Sequence, residues 1–225
     1  LYSNTTASSN TALGFQALYA NTTGAENTAV GTYALDANTT GGNNVAVGRY
    51  ALSANTTAAN NVAVGDASLM QSTTGSNNTA CGKTTLYANT TGSNNTAVGH
   101  QALDANTTAS NNTAMGQNAL GVNTTGTGNT AVGYQALDTN ETGNTNTAIG
   151  NHALGANTGG DNTAVGAECF ETNTSATGLA GLGYKAGELS TGSQNTMLGS
   201  QAGRYVSSGA RNTFVGFQTG QTQTT

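Results

Sequence analysis

The sequence predicts an all-β fold, a parallel β-solenoid of about thirteen short coils, and three observations predict it. A motif of the form Asn-Thr-Ala-Val-Gly returns with its glycine at Gly14, Gly31, Gly48, Gly65, Gly82, Gly99, Gly116, Gly133, Gly150, Gly166, Gly183, Gly199 and Gly216. The first nine are spaced by 17 residues, and the later steps alternate between 16 and 17. So short and strict a period means one small supersecondary unit stacked on itself. Apolar residues also keep fixed columns within the period, which a disordered chain has no reason to do. Finally, the apolar runs are too short, and too rich in Gly, Asn and Thr, to read as helices.

Taken in order, each coil opens on an asparagine four residues before the glycine: Asn10, Asn27, Asn44, Asn61, Asn78, Asn95, Asn112, Asn129, Asn146 and Asn162, with the column lost only at Leu179. Stacked coils place these amides above one another, so a hydrogen-bonded Asn ladder is expected. Thr or Val follows, then Ala, then a larger apolar residue such as Val30, Val47, Val64, Cys81, Met115 or Ile149. The corner glycines (Gly14, Gly31, Gly48, Gly65, Gly82, Gly99, Gly116, Gly133, Gly150 and Gly166) mark positive φ or close backbone approach. A second apolar run comes next, in which Leu18, Leu35, Leu52, Leu69, Leu86, Leu103, Leu120, Leu137 and Leu154 form a column continued by Phe170. The coil closes on a turn of the type Asn38-Thr39-Thr40-Gly41. Two short strands per coil are expected, joined by tight corners. The absence of Pro fits strands that donate to a ladder throughout.

Strand alternation sends neighbouring side chains to opposite faces. With the Val column as core, the Ala stripe faces outward, flat and uncharged. Ala12, Ala29, Ala46, Ala63, Ala97 and Ala131, replaced late in the chain by Met197 and Phe214, are therefore the candidate oligomerisation face. One Val and one Leu per coil, at roughly 1.5–3 kcal/mol each, set against the ordering cost of a whole coil, make a lone chain look thinly stabilised and favour association. Thirteen coils would span roughly 60 Å.

Two regions are read: 1–166, the regular repeats, and 167–225, divergent repeats continuing toward a transition or end. In the second, spacing wavers and Ala186-Gly187 and Ala202-Gly203 stand where Ala-Leu stood. Leu1 occupies a mid-repeat position, which suggests a piece of something longer.

Composition excludes several functions. A net charge of −5 argues against nucleic acid, and no apolar run approaches the roughly 18 residues that span a bilayer. Cys81 and Cys169 stand five coils apart, roughly 24 Å, beyond disulfide reach, and read as two small buried hydrophobes.

Residues 129–137 (Asn-Thr-Ala-Val-Gly-Tyr-Gln-Ala-Leu) carry a resemblance. The Asn-Thr-Ala-Val-Gly strand resembles the Ser-Val-Ala-Ile-Gly strand of trimeric autotransporter adhesin heads, and the longer unit is similar to repeats of phage tail-fibre and bacterial fibre proteins. The resemblance covers essentially all of residues 1–216. It implies a parallel β-roll, left-handed in those heads, assembled side by side as a homotrimer. The coil here, at 17 residues, is longer than the adhesin coil, and no endosialidase-type chaperone domain is visible.

The ruler of the repeat tests for chemistry. Asp36, Asp104 and Asp138 share a column, the closest pair two coils or roughly 10 Å apart, at the outer limit for a glycosidase carboxylate pair; the column reads as a solvated surface. His100 and His152 stand three coils apart on opposite faces, with no Cys or carboxylate cluster to complete a metal site. The Asp-rich nonapeptide of calcium β-rolls is absent. Gly178, Gly181 and Gly183 read as corner glycines of a divergent coil rather than a phosphate cradle. Asn-x-Thr/Ser sequons such as Asn21, Asn38, Asn55, Asn89 and Asn106 follow from a repeated turn. Phe15, Tyr33, Tyr50, Tyr134, Tyr184 and Phe217 are scattered surface aromatics that could meet a sugar.

No enzyme, cofactor or metal site is expected. The function expected is a structural and adhesive fibre shaft, extracellular on a virion or cell, holding a distal tip at a target. Its partners would be copies of itself in a homotrimer and a cell-surface glycan or protein receptor, with neither nucleic acid nor membrane insertion. The alternatives are an ice-binding solenoid, using the column of Thr11, Thr28, Thr79, Thr96, Thr113 and Thr130, and a filament subunit that polymerises end to end.

Overall fold

The computed structural model describes residues 2–221 and is a parallel β-solenoid. The chain divides into two compact units, Leu1–Asn112 and Thr113–Thr225. In the first, β1 (Thr11–Leu13), β2 (Thr28–Val30), β3 (Val45–Val47), β4 (Val62–Val64), β5 (Thr79–Cys81) and β6 (Thr96–Val98) pair consecutively and in parallel. In the second, the same consecutive pairing joins β7 (Thr113–Met115), β8 (Thr130–Val132), β9 (Thr147–Ile149), β10 (Thr163–Val165), β11 (Ala180–Leu182), β12 (Thr196–Leu198) and β13 (Thr213–Val215). Register is exact to the repeat: Ala29 stands opposite Ala46, and Val30 opposite Val47.

Each coil holds one three-residue strand, not two. The second apolar run, Ala34-Leu35, forms consecutive tight turns instead. Tyr33 and Leu35 both lie in the left-handed region, at φ 58° and 54°, and the equivalent residues of the other coils repeat this. A left-handed non-glycine residue costs roughly 1–2 kcal/mol. Two gains offset it at Leu35, whose side chain is fully buried and whose N–H donates to Ala51 O of the next coil at 2.9 Å. The coil-to-coil ladder runs well beyond the strand: Tyr33 N–H reaches Phe15 O, Ala37 N–H reaches Ser53 O, and Thr39 and Thr40 both donate to Thr56 O. Gly31 closes the strand at φ 136°, where a Cβ would lie 2.5 Å from Gly48 O.

The interior reverses the predicted faces. Ala29, Ala46, Ala63, Ala97 and Ala131 are completely buried, whereas Val64 keeps 36%, Ile149 39% and Leu182 55% of its surface. Met197 is fully buried in the same column, and Ala12 and Phe214 are half-buried in the strands β1 and β13. The Ala column is therefore core and offers no face to another chain. Size is the physical reason. The interior already holds Leu35, Ala34 and two asparagines, Asn27 and Asn38, all fully buried, and the strand wall has room for a methyl group.

Both asparagine columns are structural. Asn27 Oδ1 accepts the backbone N–H of Asn44 at 2.9 Å, and Asn27 Nδ2 crosses its own coil to Gly41 O at 2.9 Å. Asn38 Nδ2 meets the same Gly41 carbonyl at 2.9 Å and donates to Asn21 Oδ1 at 2.8 Å. The first ladder thus links side chain to backbone, and amide-to-amide stacking belongs mainly to the second column. Both supply partners to buried amides where burial would otherwise be costly. The sequon residues Asn21, Asn38, Asn55, Asn89 and Asn106 are fully buried and closed to glycosylation in the folded chain. Asn77, Asn94 and Asn111, also in sequons, are exposed.

Late in the second unit the large interior residue changes walls. Gly181 and Gly187 leave room for the Phe170 ring: a Cβ at either would lie 2.5 Å or less from it. Gly203, in the Leu35 column, sits under Met197, whose Sδ would be 2.5 Å from an added Cβ. Leu from the turn wall is exchanged for Met from the strand wall, and the core volume is kept. The two 16-residue coils each lack one Thr of the closing turn, at Asn157-Thr158-Gly159 and Ser190-Thr191-Gly192. Thr158 N–H and Thr191 N–H alone then reach the next coil, to Thr174 O and Ser207 O.

Candidate interaction face

With Ala inside, alternation turns the Thr28 and Val30 columns outward together. In the first unit the outward residues are Thr or Val at the first strand position and Leu, Val or Cys at the third. In the second they are Thr or Ala, and then Met, Val, Ile or Leu. No charged residue interrupts either column. Equivalent residues stand directly opposite one another from strand to strand, about 4.8 Å apart, and each unit therefore presents a ribbed, uncharged sheet face. Leu13 (67% exposed), Met115 (44%) and Val215 (64%) belong to it.

Cys81 lies exposed on this face between Val64 and Val98, contrary to the expectation that it is buried. Cys169 is buried against Gly181, and burial pushes its thiol up to about 12.

Phe15, Tyr33 and Tyr50 are engaged with one another, whereas Tyr134, Tyr184 and Phe217 stay exposed. Tyr33 stacks on Tyr50 at 5.2 Å and takes the edge of Phe15 at 5.5 Å, and Arg49 lies 5.4 Å from the Tyr50 ring. A ring stacked along the solenoid presents little free face to a sugar.

The Asp column is less solvated than expected. Asp36, Asp104 and Asp138 are half-buried, and burial raises all three carboxyl groups above the usual carboxylate range. Further along that column Glu188 is buried and held by Arg204 Nε at 2.5 Å and Lys185 Nζ at 3.1 Å; Lys185 also bonds Glu168 at 2.8 Å. His152 is not isolated from carboxylates: Glu171 Oε1 lies 4.0 Å from its Nδ1. The columns two and five residues past the glycine are neighbours in other coils as well, as Gln135–Asp138 and Lys185–Glu188 show. Arg49 and Asp66 pair at 2.9 Å on the surface of the first unit.

Comparison with family models, curated proteins and solved structures returned no match. Among the described residues no helix is long and apolar enough to cross a membrane.

Proposed function

We propose that this chain is a structural fibre segment, extracellular on a virion or cell surface, whose Thr28–Val30 face packs against copies of itself in a side-by-side homotrimer. The observation that carries the reading is the uncharged outer sheet face that each unit presents, on which Val64 in the first unit and Ile149 and Leu182 in the second keep 36–55% of their surface. Contiguous apolar surface of this kind marks an interaction site. A second copy is a fitting occupant, because its ribs repeat at the same spacing and can interdigitate along the sheet. The work of such a segment is mechanical: coil-to-coil ladders resist bending and hold a distal adhesive tip, with its glycan or protein receptor, at a distance. Solution mass by light scattering tests the reading. The expected mass is three times 22.2 kDa, falling to one copy for a Val64→Lys/Ile149→Lys variant. A wild-type monomer at high concentration overturns it.

One observation favours a second reading, ice binding: the Thr column points outward beside Val, as a regular flat array. Thermal hysteresis of the purified chain distinguishes the two, since a trimer that buries this face has none of it free for ice.

A further inference from the structure

In the second unit the column containing Asp138 continues, coil by coil, as Gly155, Glu171, Glu188 and Arg204. Gly155 therefore leaves a gap between two carboxylates. A cavity of about 320 Å³ opens there, with Gln135, Asp138, His152, Gly155, Ala156 and Glu171 in its lining. Asp138 Oδ2 accepts from Gln135 Nε2 at 3.2 Å, and Glu171 Oε1 lies 4.0 Å from His152 Nδ1. Burial holds both carboxyl groups above their ordinary range, and Glu168 and Glu188 push Glu171 further the same way. The nearby cations are committed elsewhere: Lys185 bonds Glu168 and Glu188, and Arg204 bonds Glu188. A column steps about 4.8 Å per coil, so a positive charge over Gly155 would stand one step from each carboxylate.

We propose that the gap over Gly155 binds a small alkylammonium ligand, its ammonium between Asp138 and Glu171 and its hydrocarbon part against Ala156. A bare metal ion fits less well. The metal-donor group that gathers closely in this region is Glu168, Glu171 and Glu188, of which Glu168 and Glu188 are already paired with Lys185 and Arg204, and the cavity is far larger than one ion. A cavity lined by Gly155 and Ala156 together with a few polar groups suits an amphiphilic cation. The inference is independent of the fibre reading, because these residues lie outside the strand face.

The test is an NMR titration of the full chain with n-butylammonium chloride, reading the side-chain carboxyl resonances of Asp138 and Glu171, with 1-butanol as the neutral control. Saturable shifts with the ammonium and none with the alcohol are expected. In Asp138→Asn/Glu171→Gln, binding should weaken at least tenfold. Gly155→Lys places a tethered ammonium in the gap and should abolish binding. The nearest atom to a Cβ at Gly155 would be His152 O at 3.2 Å, a tight contact that a shift of a few tenths of an ångström relieves. An absent response to butylammonium, an equal response to butanol, or unchanged affinity in either variant overturns the proposal. If the double carboxamide variant does not fold, Gly155→Lys decides alone.

Discussion

Asn27 hands its side-chain carbonyl to the backbone N–H of Asn44 at 2.9 Å, and Asn44 does the same for Asn61 at 3.0 Å. Each asparagine so completes the backbone of the next coil just before its strand begins, while its amide ties down the far side of its own coil. Asn44→Ala would leave the buried Asn61 N–H without its acceptor, while Ala58 O would lose one of its two amide donors and keep Asn55 Nδ2. One unsatisfied buried group costs about 1–3 kcal/mol, and a loss of that size is expected in urea denaturation of this variant. An unchanged midpoint would show that the ladder carries no stability.

The second ladder has a natural defect. Ser72 replaces asparagine in the Asn38 column, and Asn55 Oδ1 and Ser72 Oγ are both buried without a partner. Ser72→Asn supplies an amide that can donate to Asn55 Oδ1 and accept from Asn89 Nδ2, as Asn38 does between Asn21 and Asn55. Stabilisation of about 1 kcal/mol is expected, measured as a rise in the denaturation midpoint.

The reversed faces make a sharp paired prediction. Ala63→Lys places a charge in a completely filled interior and should prevent the first unit from folding. Val64→Lys, one residue on, points to solvent in the single chain. It should leave the far-UV circular dichroism intact and act on association alone. Equal disruption by both would return the Val column to the core.

Most of the solenoid was legible because it depends on period: strand positions, register and corner glycines all follow from the 17-residue repeat. Which strand face is inside does not follow, since alternation separates two faces without naming the core. Hydrophobicity favoured Val over Ala and pointed the wrong way. A better signal was present in size. The Val30 column tolerates Cys81, Met115, Ile149 and Leu182, whereas the Ala29 column keeps one methyl group until Gly181, Met197 and Phe214. At those coils the Leu35 column turns to Gly187, Gly203 and Gly220, a compensation that only contacting residues need. The left-handed Leu35 was hidden for another reason: its strain is offset by burial and by a bond to a neighbouring coil, and neither leaves a local mark.

The two thiols should differ in kind. Ellman's reagent is expected to modify exposed Cys81 and spare Cys169 in the folded chain. In an in-register assembly built on the outer face, mild oxidation should link copies through Cys81, and Cys81→Ser should abolish the link. Cys169 acts on stability instead. Its thiol stays protonated up to about 12 when folded, against an ordinary 9.0. Stability from that shift is intact below pH 9 and is lost as pH rises toward 12, by about 1.4 kcal/mol per pH unit. Chemical denaturation of wild type and Cys169→Ala across this window should show the extra slope in wild type alone; parallel curves would mean that the thiol ionises freely.

The change of walls at Met197 and Gly203 invites a double-mutant cycle. Met197→Ala alone should cost about 2–5 kcal/mol, because the turn wall opposite has no side chain to refill the space. Gly203→Leu alone drives a side chain into Met197, whose Sδ would lie 2.5 Å from the first added carbon, and overpacking costs about 1–3 kcal/mol or more. The glycine is already left-handed, at φ 57°, the same region that Leu35 occupies at 54°, so the backbone can accept leucine. Together the two changes rebuild the Ala–Leu pairing of the regular coils. The double variant should therefore be well short of the sum of the singles, with a coupling of at least about 2 kcal/mol in urea denaturation. Phe214 tempers the gain, because it also lies close to Gly203, 3.1 Å from an added Cβ. Simple additivity would mean that Met197 and Gly203 do not share one packing space, and that the late coils keep their cross-section by some other means.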